Sequence, residues 1–223
     1  MTDTIRAMAR GPARATQRAW WPVAILSLLI AAYGALFVAR GEASFVGELA
    51  QSFRARPLLI FAHAAFGTLA LLTGPFQFRR GLRNRRPRVH RVTGRMSVSS
   101  ALGTGATGLV MAIFSFGGAN THVAFGVLAL LTMATTGMGL ARILVGDVAG
   151  HRAWMLRSFA LIFAGVTLRL ELPFLVAAFG GDFAPAYQVV AWSSWVPNLA
   201  WAEWRVRRSR ALVHTLEARR VAA

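Results

Sequence analysis

Four of the five histidines in this 223-residue chain fall into a pattern. The segment HAAFGTLALLT begins at His63, and HVAFGVLALLT begins at His122, matching it at nine of eleven positions. His90-Arg91 follows the first histidine by 27 residues, and His151-Arg152 follows the second by 29. Chance alignment of leucines does not align a histidine. Imidazoles brought together in pairs from facing helices are the axial ligands of a b-type haem, which also needs an apolar slot and cations for its propionates. Gly67 and Gly126 lie four residues after His63 and His122, on the same helical face, where a flat macrocycle can approach the backbone. Gly94 has the same relation to His90, whereas Met155 stands in that place after His151. Arg91, Arg95, Arg152 and Arg157 lie beside the second pair as candidate propionate partners. The cofactor expected from this set is haem b, one or two copies, with His63, His122, His90 and His151 as iron ligands. The plainer alternative is a set of histidines that hydrogen-bond helices together or sit among lipid headgroups.

The elements that must position these residues are apolar runs. A bilayer core takes about 20 residues of helix, and six runs qualify: 20–39, 57–78, 96–116, 121–144, 153–179 and 187–204. The reading is a single all-α membrane domain with six transmembrane helices. It divides into a basic tail (1–19), a first helix and loop (20–56), hairpin one of the repeat (57–116), hairpin two (117–179), a sixth helix (180–204) and a second basic tail (205–223). The first run is longer than the ~7–15 apolar residues of a cleaved signal, so it is expected to be retained. Helices two to five are expected to form a pseudo-symmetric four-helix bundle built from the two hairpins, related by an axis along the membrane normal.

Charge orients this arrangement. All 25 basic residues are arginine, against 8 acidic ones. With the N-terminus inside, 21 arginines fall in inside segments and three (Arg40, Arg54, Arg56) outside, which places both termini in the cytoplasm. A net charge of +17 in a soluble chain would suggest nucleic acid, but a soluble basic domain should not carry apolar runs of this length. His63 and His122 then lie near the outer helix ends, and His90 and His151 near the cytoplasmic ends. His90 precedes its apolar run by six residues, about 9 Å of helix, so depth favours haem at the outer pair. The stretch RRGLRNRRPRVHR anchors topology and is suited to anionic headgroups. His214, in the second tail, is assigned no chemistry.

Arg169 and Glu171 are charges inside the fifth run. Being two residues apart they point to different faces, and such residues usually face a bundle or cavity. Arg169 is read as a partner for a propionate or a substrate anion, or as snorkelling to the outer interface.

The segments HAAFGTLALLTGPFQF, PRVHRVTGR and HRAWMLRSFAL resemble domain of unknown function 2306, a bacterial multi-pass membrane family, over roughly Pro57 to Pro173. That family often has an aromatic two positions after the Gly-Arg of the second motif; here the position is Ser97. More distantly, the order of the four histidines is similar to the transmembrane diheme b-type cytochromes. That resemblance implies pairing of His63 with His122 and of His90 with His151, the same pairs that topology suggests.

The expected function is a b-type haem transmembrane electron carrier or oxidoreductase, passing electrons between a quinone or other redox partner and an acceptor on the opposite face. The alternative is a small transporter or accessory subunit without haem, with a polar centre at Arg169, Glu171, His63 and His122. There is no cysteine, which excludes thiolate chemistry, iron–sulfur clusters and covalently attached haem. No H-E-x-x-H, G-x-S-x-G or Walker loop is present.

Overall fold

The computed structural model describes residues 2–221, with side chains described over 20–209 apart from Arg80, and at Ala211. His214 and the arginines of the first tail lie outside the described side chains. The fold is all-helical, with no strand among the described residues. Among the described residues ten α-helices follow one another: α1 (Thr2–Arg40), α2 (Ala50–Arg54), α3 (Pro57–Gln77), α4 (Arg80–Arg85), α5 (Pro87–Ala112), α6 (Ala119–Leu144), α7 (Val148–Ile162), α8 (Ala164–Ala178), α9 (Phe183–Ser193) and α10 (Val196–Val221).

Among the described residues, four helical stretches are long and apolar enough to cross a membrane: Trp20–Ser44, Pro57–Gln77, Ala119–Leu144 and Val148–Ala178. Two expected spans fall outside this group. In α5, Arg88, Arg91 and Arg95 and the polar run SVSSALGTGATG dilute the apolar content. The sixth stretch breaks between Ser193 and Val196, just before Pro197, whose ring nitrogen has no hydrogen to give. The fifth stretch is also interrupted, at Phe163, where the Val166 N–H bonds back three residues to the Phe163 carbonyl at 2.9 Å.

Helix boundaries have local causes. Pro57 and Pro87 stand in the first turns of α3 and α5, where a missing N–H costs nothing. Asp147 caps α7 by accepting the Gly150 N–H at 2.7 Å. Gly117 and Gly118 take φ of +96° and +78° to turn the chain from α5 into α6, a region side chains disfavour.

The chain packs as two hairpins, α3 on α5 and α6 on α7; α5 also lies on α6, and α7 reaches back to α3, so the four form a ring. Helix α1 lies on α3, α9 on α6 and α8, and α10 on α7. Small residues allow close approach: a Cβ on Gly103 would stand 2.7 Å from the Phe66 ring, and one on Gly74 would stand 2.6 Å from Phe159. The central core joins Ala31, Ala70, Leu71, Ala101, Ile162 and Val166 from α1, α3, α5, α7 and α8. Hydroxyls within the helices, among them Thr73, Ser100, Thr132 and Thr135, donate to carbonyls four residues back, satisfying themselves without water. Each hairpin also carries a polar side-chain cross-link near the arginine-rich end. Gln77 donates to Thr93 at 2.8 Å, and Thr136 meets Ser158 at 2.6 Å. Gln77 and Thr136 each lie 14 residues after the histidine that opens their repeat.

Candidate functional site

The arginine-rich end holds His90 and His151. Each is the fourth residue of its helix, because Pro87 starts α5 and the Asp147 cap starts α7. Helix α5 thus begins well before its apolar run, and His90 stands in a formed first turn. The His151 Nδ1–H donates to the Gly139 carbonyl on α6 at 2.8 Å. In the neutral ring this leaves Nε2 as the bare nitrogen. The Nδ1 of His90 is buried and has no hydrogen-bond partner. Partial burial, together with the charges of Arg83, His151 and Arg152, holds the His90 imidazole below the usual histidine range. Arg152 is therefore within charge reach of His90, whereas Arg91 and Arg95 are exposed side chains. Gly94 offers no open slot here, since the Gln77 Oε1 lies 3.2 Å from where its Cβ would stand.

At the opposite end the two histidines face different partners. His63 Nδ1 meets Thr107 Oγ1 on α5 at 3.2 Å. The Thr107 hydroxyl already donates to the Gly103 carbonyl at 2.7 Å, so its oxygen accepts from His63 and the imidazole Nε2 is bare. The His63 ring packs against α5, with Cε1 3.2 Å from a Cβ position on Gly108. His122 instead gives its Nε2–H to the Ser115 carbonyl at 2.9 Å, in the connection that leads into its own helix. None of the described contacts joins His63 to His122. A Cβ on Gly67 would meet nothing within 4 Å, and one on Gly126 would meet only Ala112 at 3.9 Å, so both glycines leave open space beside their histidines.

Arg169 donates to the Gly165 carbonyl at 2.8 Å, lies 5.6 Å from the Tyr33 ring centroid, and is close enough to His63 for its charge to be felt there. Glu171 accepts from Ser193 at 2.7 Å on the α9 side. The two charges are not paired with each other, in keeping with their spacing.

Sequence reasoning passed over one ion pair. Arg157, buried on α7, places Nε and Nη2 at 2.8 and 2.6 Å from the same oxygen of Glu203 on α10, and Arg207 holds the other Glu203 oxygen at 2.9 Å. Arg157 had read as a topology arginine and as a candidate propionate partner; its guanidinium is instead committed to Glu203. The available signal was Glu203, an isolated acid at the head of an arginine-rich tail.

Two of the four repeat histidines suit iron ligation as they stand. His63 and His151 each anchor Nδ1–H on an oxygen and leave Nε2 unprotonated, the arrangement by which proteins orient a metal-binding imidazole. His122 spends that nitrogen on Ser115. Among the described residues no group of three or more His, Cys, Asp or Glu side chains is arranged to hold a metal ion, so the donor set offers imidazole pairs only.

A family described as predicted membrane protein, DUF2306, matches residues 60–206. The match covers both hairpins, α8, α9 and the start of α10. The chain belongs to that family. No curated protein and no solved structure matches the chain.

Proposed function

We propose that this member of the DUF2306 family is a transmembrane electron carrier or oxidoreductase of b type, with haem held between imidazoles of the four-helix ring. On this reading the chain crosses a bacterial inner membrane six times, both termini are cytoplasmic, and the two hairpins are pseudo-symmetric copies. The supporting observation is the His90–His151 pair. Both residues occupy the same position in their helices, the charge of His151 reaches His90, and one presents a bare Nε2 while the other has an unpartnered Nδ1. This shifts the emphasis from the outer pair, favoured on depth, to the arginine-rich end.

Haem held by these imidazoles would supply a one-electron couple. The chain's own residues do the rest. The Gly139 carbonyl fixes the His151 ring and its tautomer, and Thr107 does so for His63. Arg83 and Arg152 place positive charge around His90, which favours an anionic group nearby and the electron-rich state of a redox centre.

The test is the optical spectrum of the detergent-purified protein, oxidised and then dithionite-reduced, with a haem-to-protein ratio. Sharp reduced bands lost in His90→Ala and His151→Ala are expected. Bands lost only in His63→Ala would move the site to the opposite end. A colourless protein after expression with added haem would overturn the reading.

The transporter alternative needs Arg169, Glu171, His63 and His122 in one centre. Glu171 is engaged with Ser193 and His122 with Ser115, so the contacts favour separate roles.

A further inference from the structure

Three of the helices agree on a depth. Tyr33 lies seven residues before the end of α1, His63 six residues into α3, and Arg169 nine residues before the end of α8. At 1.5 Å per residue all three sit about 9–14 Å inside the helix ends remote from the arginine-rich face. Arg169 is the one arginine within the apolar stretch of α8, and it brings five N–H donors to that level. The Gly165 carbonyl takes one of them, and the Tyr33 ring covers part of the cation. Among the described residues no carboxylate pairs with it. The nearest acid in sequence, Glu171, is turned to Ser193. A guanidinium at such depth is costly without a counter-charge, and residues of this kind mark ligand sites more often than packing sites. The acids of the described ion pairs, Asp147 and Glu203, are engaged with other arginines, which leaves Arg169 open to a counter-charge from outside the chain.

The surroundings say how it arrives. Leu29, Tyr33 and Leu36 of α1 and Leu170 and Phe174 of α8 are exposed apolar side chains, so this face meets lipid and not water. We infer that Arg169 is a carboxylate-binding site, reached from the lipid side between α1 and α8, for an acid carried on an apolar body. A neutral head would hydrogen-bond but leave the charge uncompensated; a carboxylate does both through a two-pronged contact. Two sources present that chemistry, a free fatty acid of the bilayer and a propionate of a haem held at His63, at the opposite end from His90 and His151. Only the second rests on the haem reading.

The experiment uses the whole protein in phosphatidylcholine nanodiscs, with oleate as the probe and methyl oleate as its neutral control. Modification of Arg169 by phenylglyoxal is followed by peptide mass spectrometry. Oleate is expected to protect Arg169 at least tenfold and methyl oleate not at all. Arg169→Gln is expected to weaken binding of carboxyl-¹³C oleate at least tenfold, and Arg169→Lys to weaken it less. If purified protein carries haem, has Arg169 already protected, and shifts its haem potential or loses haem in Arg169→Gln, the propionate is the occupant. If the protein is colourless but oleate protects, the haem reading fails and this one stands. Equal modification with oleate, with methyl oleate and with neither, in protein whose spectrum is unchanged by Arg169→Gln, overturns it. The protection measurement needs no variant, so poor folding of Arg169→Gln does not shield the inference.

Discussion

Arg157 and Glu203, 46 residues apart, meet through two guanidinium nitrogens on one carboxylate oxygen and tie α7 to α10. The arginine side chain is only 10% exposed and the carboxylate 34%. Breaking a buried pair from one side leaves the other charge stranded, at about 3–5 kcal/mol. Glu203→Gln is expected near the lower end of that range, because Glu203 is partly open to its surroundings. The double variant Arg157→Met with Glu203→Met should recover most of the loss. Thermal unfolding in detergent, run as a double-mutant cycle, measures the coupling. Additive single effects would mean that the pair holds nothing together. Arg207, an exposed partner four residues on, should contribute under about 0.5 kcal/mol.

His90 gives the protein an acid-side weakness. Its folded-state pKa lies below the ordinary histidine value of 6.5 through burial and the surrounding positive charges. As pH falls, the unfolded chain takes up the proton first. The His90 contribution is therefore complete above about pH 6.5 and is lost as pH falls through the folded-state pKa. Unfolding midpoints measured across pH 7.5 to about 5 should fall on the acid side, and His90→Gln should flatten that part of the curve. An unchanged slope in the variant would assign the effect to another group.

Two glycines on facing helices should respond oppositely to alanine. A Cβ at Gly103 runs into the Phe66 ring, so Gly103→Ala is expected to cost about 1–3 kcal/mol. Gly67 has open space around its Cβ position, so Gly67→Ala should be neutral or stabilise by up to about 1 kcal/mol, the helix-propensity gain. Under the haem reading a larger change, Gly67→Leu, should fill the space beside His63 and reduce any haem held there, which the reduced spectrum would record.

Asp147 holds the first turn of α7, and His151 stands in that turn. Asp147→Ala is expected to cost about 1 kcal/mol through the lost cap. Its wider effect falls on the neighbour: a frayed turn loosens the His151–Gly139 contact. Hydrogen exchange at the start of α7 should rise in the variant while that of α6 stays unchanged.

The apolar runs made the helices legible, but hydropathy marks where lipid is tolerated, not where a helix starts. Helix α5 begins at Pro87 and carries Arg88, Arg91 and Arg95 on its first turns, so the run at Met96 placed its start nine residues late. The repeat was readable from His63 and His122, and the packing of α3 on α5 and of α6 on α7 follows its two hairpins. What each ring does was not readable. The His122 contact depends on how Gly117 and Gly118 bring the Ser115 carbonyl round, and the His63 contact depends on Thr107, 44 residues away. Pairings over such distances leave no local trace in sequence.

The two copies of the opening motif end up as chemical opposites. His63 shows its surroundings a lone pair on Nε2; His122 has turned the same nitrogen, with its proton, onto its own loop. Exchanging the order of the hairpins along the chain would therefore not restore the same molecule, since the proton-accepting edge would move to the other side of the ring. The duplicated motif has become a division of labour, with one histidine free to meet a visitor and the other stitching a turn.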